Sequence, residues 1–232
     1  NIGITSILLS KIFKNSLIYS FEPNPVVFKT LEKNLKNKKN FKLFRYAISD
    51  GLKDSLGFSG ISAFGHLDKK NLDTSIKVPS VSLGKFRKQE GIIKFDFVKI
   101  DVEGFELDVF KGLDNCARVI FFEFNPYCIN AFYNQSAHQV LSEIFIKYRL
   151  FKFKKNDELE EIISKSSLES FILNTFRKDI LNDLVGIPRS ENYAFFKQKK
   201  LKIHKYPENI FSFTRSLFWL LIRFLKKYIF WI

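Results

Sequence analysis

A chain of 232 residues, 46% of them apolar, is long enough for one substantial α/β domain plus an appendage, with an ordinary hydrophobic core. Its two cysteines, Cys116 and Cys128, lack CxxC spacing, which argues against a zinc site or a disulfide scaffold and for a reducing, cytoplasmic compartment. The net charge of +14 is uneven: residues 197–232 carry nine Lys or Arg against the single acid Glu208, so a membrane surface or nucleic acid is the partner class to weigh for the tail.

The chain has no methionine and opens at Asn1 directly on a helix-like run, so the sequence is expected to be incomplete or processed at its N-terminus. No secretory signal is visible near residue 1. Asn-Ile-Gly at 1–3 reads as the end of a glycine turn feeding a helix whose apolar side holds Ile7, Leu8, Ile12 and Phe13. Gly3 would let backbone approach a ligand there, although one glycine specifies little.

A strand over 17–21 ends in Glu22-Pro-Asn-Pro. Asn24 is a good N-cap, Pro25 suits the first helical position, and Val27, Phe28, Leu31 and Leu35 keep helical spacing. An acid at a strand tip, about twenty residues past a glycine turn, is how nucleotide-binding α/β folds hold a ribose. The plainer alternative is an exposed strand-end carboxylate. A third strand is expected over 41–48, ending in Ser49-Asp50-Gly51, where the same architecture puts a base-binding edge; taken alone, these residues are turn chemistry.

Residues 51–91 read as a hairpin-rich insertion bordering a pocket, with a β-like run over 76–83. Ser59, Ser62 and His66 are candidate lining residues, though loop residues of these types are commonly just solvated. A short apolar strand over 95–100 then runs into Asp101, Glu103, Gly104 and Glu106 and continues as an amphipathic helix. Ligands of open α/β sheets sit beyond the carboxyl ends of strands, which places these acids where chemistry is done. Acids at a helix start also satisfy free amide N–H groups and the dipole.

The continuous apolar run 119–122 suits a doubly covered parallel strand and is again capped by an acid, Glu123, so adjacent strands would bring Asp101 and Glu123 toward one cleft. Ser136-Ala-His-Gln139 matches a helix start, with His138 exposed in the first turn and Val140, Leu141, Ile144 and Phe145 on the buried face. A strand is expected over 149–153, mostly helix over 159–184 closing at Gly186-Ile-Pro188, and a last strand over 192–196. Residues 216–232 form an aromatic, cationic amphipathic pattern, too short and too charged to span a bilayer comfortably. An interfacial helix at the membrane surface fits it, as does a helix docked on the domain itself.

Asn-Ile-Gly at 1–3, Phe-Glu-Pro-Asn-Pro at 21–25, Ala-Ile-Ser-Asp at 47–50, Lys-Ile-Asp-Val-Glu-Gly-Phe-Glu at 99–106 and Phe-Glu at 122–123, in that order, resemble the FkbM family of S-adenosylmethionine-dependent methyltransferases. The resemblance covers about residues 1–197 as a methyltransferase domain and leaves 198–232 as a basic linker and amphipathic helix. It implies a Rossmann-like α/β sheet and O-methylation of a hydroxyl on a sugar, polysaccharide or secondary metabolite. Carried over motif by motif, it implies S-adenosyl-L-methionine held by Gly3 at the glycine turn, Glu22 at the ribose and Ile48, Ser49 and Asp50 at the adenine. Asp101 then faces the methyl group and the incoming hydroxyl as the candidate base, with Glu103 and Glu123 holding substrate hydroxyls and no metal assigned.

Two departures from the family pattern stand out. Gly84 occupies a position where an acid is usual. Family members also begin with a strand ending in an acidic glycine turn, of which only Asn-Ile-Gly is present. The resemblance makes that strand the central one, so its absence would leave two strand edges unpaired, and poor binding of S-adenosylmethionine, or none, is the expectation for these 232 residues. The competing readings are an NAD-dependent oxidoreductase, since a glycine turn and a strand-end Glu also suit NAD, and a non-catalytic membrane-surface module driven by the tail. The partner expected is a small-molecule or glycan hydroxyl substrate rather than nucleic acid. The protein is expected in the cytoplasm, with the 216–232 helix as its peripheral membrane contact.

Overall fold

The computed structural model describes residues 1–13, 15–60, 65–68, 76–154, 159–178 and 181–191. The strand expected over 192–196, the tail helix and Ser62 lie outside them. Helix α1 (Ile4–Ile12) starts at Gly3, whose φ of 96° is left-handed. Strand β1 (Ile18–Phe21) leads into α2 (Pro25–Leu35), where the Asn24 side chain accepts from the amides of Val26 and Val27 and Val27, Leu31 and Leu35 are buried. This is the strand, cap and helix expected from Glu-Pro-Asn-Pro.

The strand expected over 41–48 is two strands in two sheets: β2 (Phe41–Phe44) pairs in parallel with β1, and β3 (Ala47–Ser49) pairs in parallel with β6 (Ile76–Ser82). β4 (Ser55–Ser59) runs antiparallel to β6 and to β5 (His66–Asp68), giving the hairpin-rich unit its second sheet of four strands. Helix α3 (Leu83–Gln89) follows, capped by Ser82 through the amide of Lys85. Gly84 packs where an acid would not fit: its N–H donates to the Gly112 carbonyl at 2.9 Å, and a Cβ added there would lie 2.6 Å from Asp114 Cβ.

The largest sheet has the order β10-β9-β11-β8-β7. β7 (Phe95–Ile100) is parallel to β8 (Ala117–Phe124), separated from it by the six-residue α4 (Glu106–Lys111). α5 (Pro126–Tyr133) and α6 (Ala137–Lys147) precede β9 (Tyr148–Phe153), and Ser136 caps α6 through Gln139 as expected. The mostly helical reading of 159–184 is corrected. β10 (Leu159–Ile162) forms a hairpin with β9, α7 (Lys165–Lys178) supplies the helix, and β11 (Asn182–Pro188) lies antiparallel between β8 and β9. The Gly186-Ile-Pro188 helix stop is instead the end of a central strand, whose Leu184, Val185 and Ile187 are buried because both faces of the sheet are covered.

Period-2 alternation sorts β8 between two cores. Ile120, Phe122 and Phe124 join Leu141, Ile144 and Leu150 on one side, while Val119 and Phe121 join Phe13, Phe151, Val185 and Ile187 on the other. α4 is buried nearly all round, from Glu106 to Phe110, rather than amphipathic. Among the described residues β1 bonds only to β2, and β7 only to β8. The β1–β2 ribbon is held by aromatic packing instead: Phe86 meets Phe21 and Phe44 edge-on at 4.8 and 4.7 Å, and Tyr19 meets Phe95 at 5.8 Å.

Candidate active site

A cavity of about 820 Å³ lies between the two unpaired edges, lined by successive residues of both β1 and β7. One end is built by Gly3 and Glu22. A Cβ at Gly3 would sit 2.9 Å from Leu31 Cδ1, so the close packing of α1 on α2 and the left-handed φ both require glycine. The buried Glu22 carboxylate accepts the Asn24 amide at 2.8 Å and pairs with the Asn1 ammonium. Tyr46, Ala47 and Ile48 form part of the wall, whereas Ser49 and Asp50 are not on it. Ser49 Oγ is bonded to Ser80 Oγ at 2.6 Å, and Asp50 accepts the Leu52 amide in a turn. His66 is on the wall, stacked at 4.0 Å on Phe132; Ser59 is not a lining residue.

The other end is acidic. Asp101 and Glu103 line the cavity, and Asp101, Glu103 and Glu123 each place a carboxylate oxygen within 4.8 Å of the others. Parallel pairing of β7 with β8 brings the acids at both strand ends together, as expected. A hard divalent cation could span that separation, but an acidic cluster does not by itself specify one. Lys99 donates to Asp101 Oδ2 at 2.5 Å, making it the cation nearest the cluster in the hydrogen-bond network.

A fourth acid was not legible. Asp183 at the start of β11 lies directly opposite Glu123, because the antiparallel strand begins where β8 ends. Burial, then Asp101, Asp183 and Glu103, push Glu123 up to about 7. Burial also pushes Asp183 up to about 6, against the pull of Lys99 and with a smaller push from Asp101. Glu106, buried at 2% exposure, is raised to about 8, by desolvation first and by Glu123 and Asp101 after it. The Cys128 thiol donates to Glu103 at 3.5 Å and is pushed up to about 12 by burial and by that carboxylate. The site therefore holds several carboxyl groups whose protons leave near neutral pH.

The same local signal builds two of these corners. Phe-Glu-Pro-Asn-Pro at 21–25 and Phe-Glu-Phe-Asn-Pro at 122–126 each end a strand with an acid and start a helix at Asn-Pro. Asn125 caps α5 through the Cys128 amide, much as Asn24 caps α2. Helix α5 was thus readable from Asn125-Pro126. Asp183 was hidden by the helical reading of its segment, although Leu184 and Val185 between Asn182 and Pro188 carry a strand signal.

The family model described as "Methyltransferase FkbM domain" matches residues 5–163. The hexuronic acid methyltransferase AglP of Haloferax volcanii is 32% identical over 45% of this chain and 44% of its own length. The methyltransferase sdnD of Sordaria araneosa is 26% identical over 49% of this chain and 58% of its own. The chain thus spans about half the length of these curated relatives. No solved structure matches it. With more than half of its residues inside the family model and the ordered motifs at the ends of parallel strands, the chain belongs to the FkbM methyltransferase family.

Proposed function

We propose that the domain transfers a methyl group from S-adenosylmethionine to a hydroxyl of a small molecule or glycan. The observation that carries this reading is the single cavity joining the Gly3 and Glu22 end to the Asp101 and Glu103 end. Its fit to the cofactor rests on a buried strand-tip carboxylate and a glycine turn. Glu22 would accept from ribose hydroxyls, and the Tyr46 to Ile48 wall would face the adenine, with Ser49 and Asp50 behind it. The three sheets then correspond to parts of one Rossmann-like sheet around this cleft.

Bound, the sulfonium supplies an activated methyl group with a neutral leaving group. The chain's task is to align the attacking oxygen and take its proton. Asp101, on the cavity wall and fixed in direction by Lys99, takes that role, and Glu103 orients acceptor hydroxyls. Glu123, raised to about 7, stands behind Asp101 as a group able to hold or release a proton near neutral pH. A relative named for a hexuronic acid supports a sugar as acceptor. Because, among the described residues, the edges of β1 and β7 border the cavity unpaired, cofactor affinity is expected to be weak for residues 1–232.

Incubation with methyl-labelled cofactor and a panel of sugars, uronic acids and polyols tests the assignment. Label in an O-methyl product, reduced at least 100-fold by Asp101→Asn, is expected. Product formation unaffected by Asp101→Asn would remove Asp101 from the reaction.

A further inference from the structure

The turn between β7 and α4 carries Asp101 and Glu103, and its shape is unusual. Glu103 and Gly104 are both left-handed, with φ of 51° and 97°. Gly104 is pressed against the start of α5 so closely that a Cβ would lie 2.7 Å from the Cys128 carbonyl carbon and the Ile129 nitrogen. A residue with a side chain in the left-handed region costs ~1 kcal/mol or more, so something has to hold Glu103 there.

We propose that Glu106 is a positioning residue, a buried latch whose side chain reaches back to the Gly104 amide and fixes the turn that directs Asp101 and Glu103. The Gly104 N–H donates to Glu106 Oε1 at 3.1 Å, in a buried setting. An acid that served only the helix dipole would be solvated; this one is 2% exposed. Its other oxygen, Oε2, has no hydrogen-bond partner among the described residues, whereas the buried Tyr133 hydroxyl has the Leu67 backbone beside it. Burial and the Glu106 carboxyl both push that phenol up, so the two groups share one environment.

The titratable groups that act on Glu106 from the packed elements are Glu123 on β8 and Asp101 at the end of β7, and Tyr133 and Cys128 on α5 respond to the Glu106 charge. None of them is a cation. A neutral carboxylic acid satisfies the Gly104 amide without adding another negative charge to this cluster, in keeping with a proton retained up to about 8. The consequence for catalysis rests on the methyl-transfer reading; the latch itself does not.

Hydrogen exchange of the 102–106 amides, read by NMR as protection factors, tests the latch in the wild-type chain, Glu106→Gln and Glu106→Leu. Gln keeps the acceptor in neutral form, and Leu keeps the bulk without it. At pH 7 the Gly104 amide is expected to lose at least tenfold protection in E106L and to stay within threefold of wild type in E106Q. Wild-type protection at Gly104 should rise as pH passes 8, because the ionised carboxylate is the stronger acceptor for that amide, while E106Q stays flat. Equal protection in E106L and wild type would overturn the proposal, as would an E106Q loss matching that of E106L. If E106L does not fold, the pH comparison of wild type with E106Q decides, and identical profiles overturn the latch. With an acceptor in hand, E106L should lower kcat at unchanged cofactor KM and E106Q should restore it. Absence of methyl transfer in the wild-type chain would count against the enzymatic reading and leave the exchange result standing.

Discussion

Asp183 and Glu123 face each other across the antiparallel pair of β11 and β8, two partly buried carboxyl groups at one end of the sheet. Residues directly opposite in such a pair have Cβ atoms about 5 Å apart, so both cannot ionise freely. Burial is the main cause that raises them, to about 6 and about 7; Asp101 adds to both, and Asp183 adds to Glu123.

Stability follows with a definite sign. An acid raised in the folded state binds more protons than the unfolded chain, so its contribution is complete below the unfolded value and is lost as pH rises through the folded one. With Asp183, Glu123 and Glu106 raised to about 6, 7 and 8, Tm is expected to fall steadily between pH 5 and 8 and then level off. Asp183→Asn should flatten the lower part of that slope and raise Tm at pH 8 by roughly 2–4 °C, equivalent to ~1 kcal/mol. A calorimetric series at five pH values checks this; a Tm that rises from pH 5 to 8 contradicts it.

Lys99 tunes the cluster in the other direction. It lowers the proton affinity of both Glu123 and Asp183 and donates to Asp101. Lys99→Met is expected to shift the acidic limb of the activity profile upward by about one pH unit, with maximal kcat reduced roughly tenfold as Asp101 loses its fixed direction. The pH dependence of kcat measures it directly.

Two glycines with positive φ separate strain from crowding. Gly91 has φ of 66° and nothing within 4 Å of an added Cβ, so Gly91→Ala should cost only ~1 kcal/mol. Gly104→Ala meets the same backbone penalty and also collides with α5, so a loss of more than ~2 kcal/mol is expected. Urea denaturation of both variants provides the comparison.

The cysteines offer a chemical readout of the acidic field. Cys128 is only partly buried, yet burial and Glu103 push its thiol up to about 12, and Cys116 is raised to about 11 by burial. Both should resist iodoacetamide at pH 8, and Glu103→Gln should speed Cys128 labelling several-fold. Rapid labelling of Cys128 in the unmodified chain would show that the charge around it is wrongly described.

Much of the site was legible because the signals were local. Glu22, Asn24 and Pro25 specify a strand tip, a cap and a helix start within four residues, and Asp101 and Glu123 end apolar runs that parallel pairing aligns. The strand and helix boundaries after residue 159 were not, because Gly186 and Pro188 punctuate a strand with residues that also stop helices. Asp183 went unseen with them. Its role depends on which strand lies beside β8, a long-range fact that no local pattern states. The division of 41–48 between two sheets has the same origin: Arg45 and Tyr46 interrupt one extended run, and only the partners β1 and β6 show that it serves two sheets.

The central claim is that the cavity between β1 and β7 receives S-adenosylmethionine with its ribose at Glu22. Saturation-transfer difference NMR reads the weak affinity expected here. Signals on the ribose and adenine protons of S-adenosylmethionine, absent with NAD and lost in Glu22→Ala, are predicted. Saturation transfer to NAD but not to S-adenosylmethionine, or transfer that survives Glu22→Ala unchanged, would contradict the account.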